Sequence, residues 1–148
     1  MGNIATIVTG IKTRVAAELG STYSELAHTI DVSKNNFKGS SKRYGVISQA
    51  HEQTDGTFGR VTLAHTFKIV LTDYYASPST NDSAKLTSGI TLQEKMGDIY
   101  VDLVNNQCGA PSLVILTDGL EVDEPEYLED TNVVVVVGTV RATYRKTL

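Results

Sequence analysis

The stretch VTLAHTFKIVLT at residues 61–72 decides the fold class, because apolar and polar side chains alternate along it. Successive side chains of a strand point to opposite faces of its sheet, so the alternation predicts a long strand with one buried face. The side chains on the apolar face are Val61, Leu63, Phe67, Ile69 and Leu71. We therefore expect this strand to pack against other elements through that face.

A hairpin is predicted in front of this strand, since Asp55 and Gly56 form a dipeptide typical of a type I′ turn. A tight turn there pairs residues 44–53 with residues 60–75 as antiparallel strands. It also places Ala50 opposite Val61.

Two segments repeat their apolar residues at helical spacing. Residues 4–19 carry the first repeat, which Gly20 ends, and they predict an amphipathic helix. A second helix is predicted to end near Asn105, with Thr91 and Glu94 as its capping box. The apolar residues of the second repeat are Leu92, Met96, Ile99, Leu103 and Val104.

The C-terminal part predicts two further strands. Residues 113–116 form a short apolar strand closed by a turn at residues 118–119, and residues 133–145 form a last long strand. The order helix, hairpin, helix, strand, strand predicts an α+β fold, with a mainly antiparallel sheet and both helices packed on one face. We expect residues 1–148 to form a single domain.

Five consecutive valines, residues 133–137, make the last strand apolar on both faces at its start. A strand covered by helices on a single face is expected to be polar on the other. Two explanations stay open: the strand is central and covered on both sides, or its second face is buried against another copy of the chain. The second explanation makes Val133, Val135 and Val137 a candidate subunit interface.

Composition narrows the class of protein. The net charge of −4 argues against strong binding to a phosphate backbone. The lone cysteine, Cys108, cannot form an internal disulfide, which fits a reducing compartment, and we interpret it as a buried or semi-buried, inert thiol. No apolar run approaches the roughly 20 residues of a bilayer span, so we expect a soluble protein that does not contact a membrane.

The residues that could carry chemistry form no known motif. His65 falls on the apolar face of its strand and His51 on the polar face of the partner strand, so the two are predicted to point away from each other. Together with His28 they show no metal-ligand spacing. Nucleotide-binding loops and nucleophile elbows are also missing from the sequence. We therefore expect neither enzyme activity nor a metal or cofactor.

Charged residues cluster in two predicted loops. The acidic loop matches no EF-hand, which indicates a solvated loop. The basic loop is a candidate contact between subunits, and it would support nucleic-acid binding only if it joined Arg141, Arg145 and Lys146 in one patch. The acidic residues are Glu121, Asp123, Glu124, Glu126, Glu129 and Asp130, and the basic ones are Lys34, Lys38, Lys42 and Arg43.

This order of elements resembles the tail-terminator and neck proteins of long-tailed bacteriophages. The matching pieces are residues 4–19, 44–75, 86–106 and 133–145, which together extend over nearly the whole chain. The resemblance rests on the pattern of elements and not on a signature motif. It implies a virion protein without catalytic residues, assembled in the cytoplasm of a bacterial host.

The same resemblance implies a homo-oligomeric ring, commonly of six subunits. Such a ring caps a finished tail tube, offers its other face to the head connector, and lets DNA pass through its lumen without specific binding. Four alternatives stay open. They are a head-completion or connector protein, a tail-tube subunit, a small-molecule-binding enzyme with a scattered site, and a nucleic-acid binder.

Overall fold

The computed structural model describes residues 2–25, 42–57, 60–74, 82–128 and 133–147. These residues form two helices and six strands, with a short 3-10 turn at Gln107–Gly109. The elements in chain order are α1 (Asn3–Leu19), β1 (Ser24–Glu25), β2 (Arg43–Thr57), β3 (Arg60–Tyr74), α2 (Asp82–Asn105), β4 (Val114–Val122), β5 (Glu126–Leu128) and β6 (Val133–Thr147).

All six strands belong to one sheet, whose order is β1-β2-β3-β6-β4, with β5 also paired to β6. Every pairing is antiparallel except the short contact between β1 and β2. Strand β6 is therefore interior, with β3 on one side and β4 and β5 on the other. Both helices pack on one face of the sheet, which confirms the predicted α+β class.

The core lies between the helices and that face. Phe67, Ile69 and Leu71 are fully buried there, as predicted, whereas Leu63 is only partly buried. Both predicted helical repeats supply the opposing side, but Val104 points outward and keeps 40% of its surface exposed. The buried helix residues are Ile7, Ile11, Val15, Leu19, Leu92, Met96, Ile99 and Leu103.

The predicted turn at Asp55 and Gly56 is wrong. Both residues lie inside β2, which continues to Thr57 opposite Arg60. As a result Ala50 pairs with Thr66 and not with Val61. The alternation along β3 fixes which side chains face the core, but it does not fix where the partner strand turns.

A β-bulge lies between Ser48 and Ala50 and adds one residue to β2. Because side chains alternate, one extra residue moves the following side chains to the other face. His51 therefore lies on the core face, directly opposite His65. The prediction that these two histidines point away from each other is wrong.

Two other predicted boundaries are also wrong. Helix α2 begins at Asp82, so Thr91 lies inside the helix and does not cap it. The apolar repeat indicates only the part of α2 that covers the core, which starts at Leu92. Strand β4 passes through Asp118 and Gly119, where its pairing with β6 shifts and Gly119 adopts a positive φ of 70°.

Helix α1 crosses the 3-10 turn at very close range. A Cβ on Gly109 would lie 2.7 Å from the carbonyl oxygen of Gly10, and a Cβ on Gly10 would collide with the carbonyl oxygen of Cys108. This crossing buries Cys108 completely, as predicted, and its Sγ lies 3.1 Å from Thr117 Oγ1. Burial raises the pKa of the Cys108 thiol.

Candidate assembly surfaces

Helix α2 has a second apolar face, directed away from the core. Its exposed fractions are 60% for Leu86, 44% for Ile90, 57% for Val101 and 40% for Val104. At about 100° per residue these four side chains fall within about 60° around the helix axis. Gly97 lies between them, and a Cβ there would meet nothing within 4 Å. We call these four residues the α2 stripe.

The β4 edge is a second exposed apolar surface. Strand β4 ends the sheet order of the described residues, so its outer backbone groups are available to another strand. A register shift between Val114 and Leu116 leaves the neighbouring Ile115 and Leu116 both outward, with 42% and 53% of their surface exposed. Residues 115–116 and the outer backbone of β4 define this edge.

A shallow groove of about 260 Å³ borders the α2 stripe at Val101. Its carboxylates come from Glu18 of α1 and from Asp98 and Asp102 of α2. Asp102 is already paired with Arg14, whose hydrogen bond lowers the pKa of the Asp102 carboxyl. The side of α2 next to the stripe is therefore acidic.

The valine run of β6 is buried within a single chain. Val133 and Val135 are 0% and 2% exposed, and they pack with Val70 on the face opposite the helices. Val137 is only partly buried. A central strand covered on both faces thus accounts for Val133 and Val135 without a second copy, and a subunit contact through this run stays a prediction.

The predicted acidic loop is divided between two strands. Glu121 lies in β4 and Glu126 in β5, with Asp123 and Glu124 between them, and all four side chains are exposed. Residues 129–130, the other two acids, lie outside the described residues. Within the described ranges, no group of three or more His, Cys, Asp or Glu side chains could hold a metal ion.

The predicted basic loop is described only at its end, because Lys34 and Lys38 lie outside the described residues. Lys42 lies 4.0 Å from Asp73, and Arg43 donates a hydrogen bond to Ser24.

The two described basic residues lie far from the C-terminal arginine. Arg43 pairs with Thr72 of β3, while Arg145 pairs with Thr62, ten residues away along the same strand. That separation is about 33 Å. The described basic residues therefore do not join Arg145 in the single patch that a nucleic-acid binder needs.

A polar cluster that the sequence did not reveal lies at the hairpin end of the sheet. Hydrogen bonds join Ser48 Oγ to His65 Nε2 at 2.7 Å and Tyr144 Oη to His51 Nε2 at 3.2 Å. The two imidazole centroids are 5.2 Å apart. The bulge in β2 creates this cluster, and no spacing in the sequence signals it.

Two larger depressions flank α1. One, of about 640 Å³, lies between the first residues of α1, His51, Tyr144 and Lys146. The other, of about 600 Å³, is lined mainly by hydroxyl and amide side chains, and its described lining includes no histidine, cysteine or carboxylate. The second can offer hydrogen bonds to a ligand, but these residues supply no nucleophile–base pair.

No described helix combines the length and the apolar character that a bilayer span requires.

Comparison with known proteins identifies a distant structural neighbour. No family model matches the chain, and no curated protein matches it. The chain is similar to a chain of the solved structure "Virion of native gene transfer agent (GTA) particle", with 13% sequence identity and a TM-score of 0.42. The match covers 94% of this chain and 98% of that chain. These values make the gene transfer agent chain a distant structural neighbour and do not establish a shared function.

Proposed function

We propose that this chain is a structural virion protein that forms a ring at the neck of a long-tailed phage, where it terminates the tail tube and joins it to the head connector. The observation that carries the proposal is the presence of two different exposed apolar surfaces, the α2 stripe and the β4 edge.

Two unlike surfaces on one subunit favour a head-to-tail contact, in which one surface of each copy meets the other surface of the next. Such contacts close into a ring when the rotation between neighbours closes. In such a contact the apolar side chains of the α2 stripe of one copy would meet residues 115–116 at the β4 edge of the next. Their apolar side chains, Val101 and Leu116 among them, would leave water in such a contact.

The order of elements supports the neck position within this class of ring. Helix α1, the long hairpin of β2 and β3, helix α2 and the last strand β6 follow one another as in the tail-terminator proteins that the sequence resembles. The resemblance also supplies the copy number in the proposal, which is six, and the two partners, the tail-tube protein and the head-connector protein.

The exposed acids Glu121, Asp123, Glu124 and Glu126 suit a lumen wall. Carboxylates repel DNA phosphates, so DNA would pass through without adhering. In this arrangement the basic residues Lys42 and Arg43, together with Lys34 and Lys38, would contact a neighbouring subunit. Val137, which is partly exposed, is the valine of the β6 run that can still take part in such a contact.

Variants of the two surfaces test the ring. Val101→Asp places a charge on the α2 stripe and Leu116→Asp places one on the β4 edge. Thr22→Asp adds the same charge at an exposed position outside both surfaces and is the control. Light scattering measures mass and circular dichroism measures folding. We expect both surface variants to be folded but smaller than the wild type and the control.

The result that would contradict the ring is an assembly whose mass stays the same in both surface variants. A wild-type protein that stays monomeric alone and in the presence of tail tubes would contradict it as well. The test also separates the alternatives within the structural class. Long tubes of the purified protein would indicate a tail-tube subunit, and binding to the head connector without binding to tubes would indicate a head-completion protein.

A further inference from the structure

Three adjacent strands are joined across their core face by one row of side chains. His51 of β2 lies directly opposite His65 of β3, and His51 also bonds to Tyr144 of β6. His65 is 6% exposed, packs its ring 4.7 Å from that of Phe67, and bonds to Ser48 through Nε2. The row lies toward the hairpin end of the sheet, beyond the fully buried part of β3.

The surroundings of His65 disfavour a positive charge. From β2 it faces Ser48 and His51, and from β6 it faces Ala142, with Tyr144 next to it on the same face. Its Nδ1 is buried and has no hydrogen-bond partner among the described residues. The pKa of His65 is lowered, first by burial and then by the charge of His51.

The remaining polar groups near His51 add positive potential. Lys146 lines the same depression as His51, and so do the first residues of α1. The start of a helix carries the positive end of its dipole. No aspartate or glutamate is among the described residues that line this depression. A proton added to His65, whose ring lies 5.2 Å from that of His51, would therefore meet no compensating carboxylate in this depression.

We propose that His51 and His65 form an acid-sensitive latch that holds β2, β3 and β6 together at the hairpin end at neutral pH and releases them in mild acid. A histidine whose folded pKa lies below its unfolded value stabilises the fold above the unfolded pKa, near 6.5. That stability is lost as the pH falls from about 6.5 toward the folded pKa, because the unfolded chain binds the extra proton.

Two measurements on the full chain test the latch. Nuclear magnetic resonance follows the imidazole signals of His65 against pH, and we expect His65 to titrate below the ordinary histidine value of about 6.5. Chemical denaturation between pH 5 and 7 gives the unfolding equilibrium constant, which we expect to rise as the pH falls below about 6.5, with a slope of at most about tenfold per pH unit, the limit for one proton.

Histidine variants test whether the pH dependence of the unfolding equilibrium constant comes from His51 and His65. His65→Gln keeps a hydrogen-bonding group beside Ser48 but cannot take a proton in this range, so we expect the slope to disappear. His51→Gln removes the charge that contributes to lowering the pKa of His65. In this variant the pKa of His65 should therefore lie closer to the ordinary histidine value. His28→Gln is the control for the third histidine.

Hydrogen exchange locates the release. We expect amides of residues 51–57 and 60–65 to lose protection in mild acid before those of α2 do. Loss of protection in all elements together would contradict a local latch. The proposal is also overturned if His65 titrates at or above about 6.5, the ordinary histidine value, or if the slope survives in His65→Gln and disappears in His28→Gln. If His65→Gln does not fold, the titration of the His65 imidazole in the wild-type protein is sufficient to test the latch.

Discussion

Arg14 of α1 and Asp102 of α2 form a two-point ion pair, with distances of 2.6 Å from Nε to Oδ1 and 2.7 Å from Nη2 to Oδ2. Asn106 donates a further hydrogen bond to Oδ1 at 3.2 Å. The fork of a guanidinium matches a carboxylate in this geometry, so the pair fixes the orientation of the two helices as well as binding them. It thereby sets the direction in which the α2 stripe faces.

The Arg14–Asp102 pair predicts how the stability of the fold responds to pH and to substitution. Its hydrogen bond lowers the pKa of Asp102, so the contribution to stability is present above the unfolded pKa, about 3.9, and is lost as the pH falls through the lower folded pKa. Arg14→Met and Asp102→Asn should each lower the melting temperature at pH 7, and the double variant should lose less than the sum of the two. Additive losses in thermal unfolding would show that the two side chains do not interact.

Two mid-helix glycines should respond oppositely to the same substitution. Gly10→Ala pushes a Cβ into the carbonyl oxygen of Cys108, so the crossing of α1 over the 3-10 turn must open. Gly97→Ala meets open space and should stabilise α2 by about 1 kcal/mol, the usual difference between glycine and alanine in a helix. Urea denaturation of both variants at low protein concentration measures the difference.

The expected order of stability is Gly97→Ala above wild type and wild type above Gly10→Ala. The two substitutions are chemically identical, and each glycine is flanked by helix on both sides. Equal effects at the two positions would therefore mean that the close crossing of α1 and the 3-10 turn is wrong.

The sequence predicts the parts of this fold whose side chains repeat with a regular period. The apolar repeat of α1 and the alternation along β3 correctly identify Ile7, Ile11, Phe67 and Ile69 as core residues. Period alone also gives the α+β class. Such patterns can be recognised in the sequence because one face of each element is buried and the other is not.

The wrong predictions occur where local signals compete with tertiary pairing. Asp55 and Gly56 have the chemistry of a turn, yet continuous pairing with β3 holds them in a strand. The bulge near Ser48, which places His51 opposite His65, depends on a single extra residue that alternation cannot reveal. The sequence offered an interior position of β6 as one of two explanations for its valine run but did not decide between them. A strand that is buried on both faces within one chain and a strand that is buried against a second copy carry the same apolar run.

The proposed position of the acids on a lumen wall predicts a gain of DNA binding on charge reversal. Glu121→Lys combined with Glu126→Lys should make the assembled ring retain double-stranded DNA, and the retention should fall steeply as salt increases. Glu94→Lys combined with Asp98→Lys makes the same change of charge on exposed residues of α2 and is the matched control. Equal retention by the two double variants in a filter-binding assay would place the acids of β4 and β5 elsewhere than the lumen.

The most direct test of the neck assignment is electron microscopy of purified tail tubes mixed with this protein. We expect one additional ring of density at a single end of each tube, and tubes capped in this way should no longer lengthen when tail-tube protein is added. Val101→Asp, folded but impaired in assembly, should leave the tube ends bare. Bare ends with the wild-type protein, or density along the whole tube, would contradict the assignment.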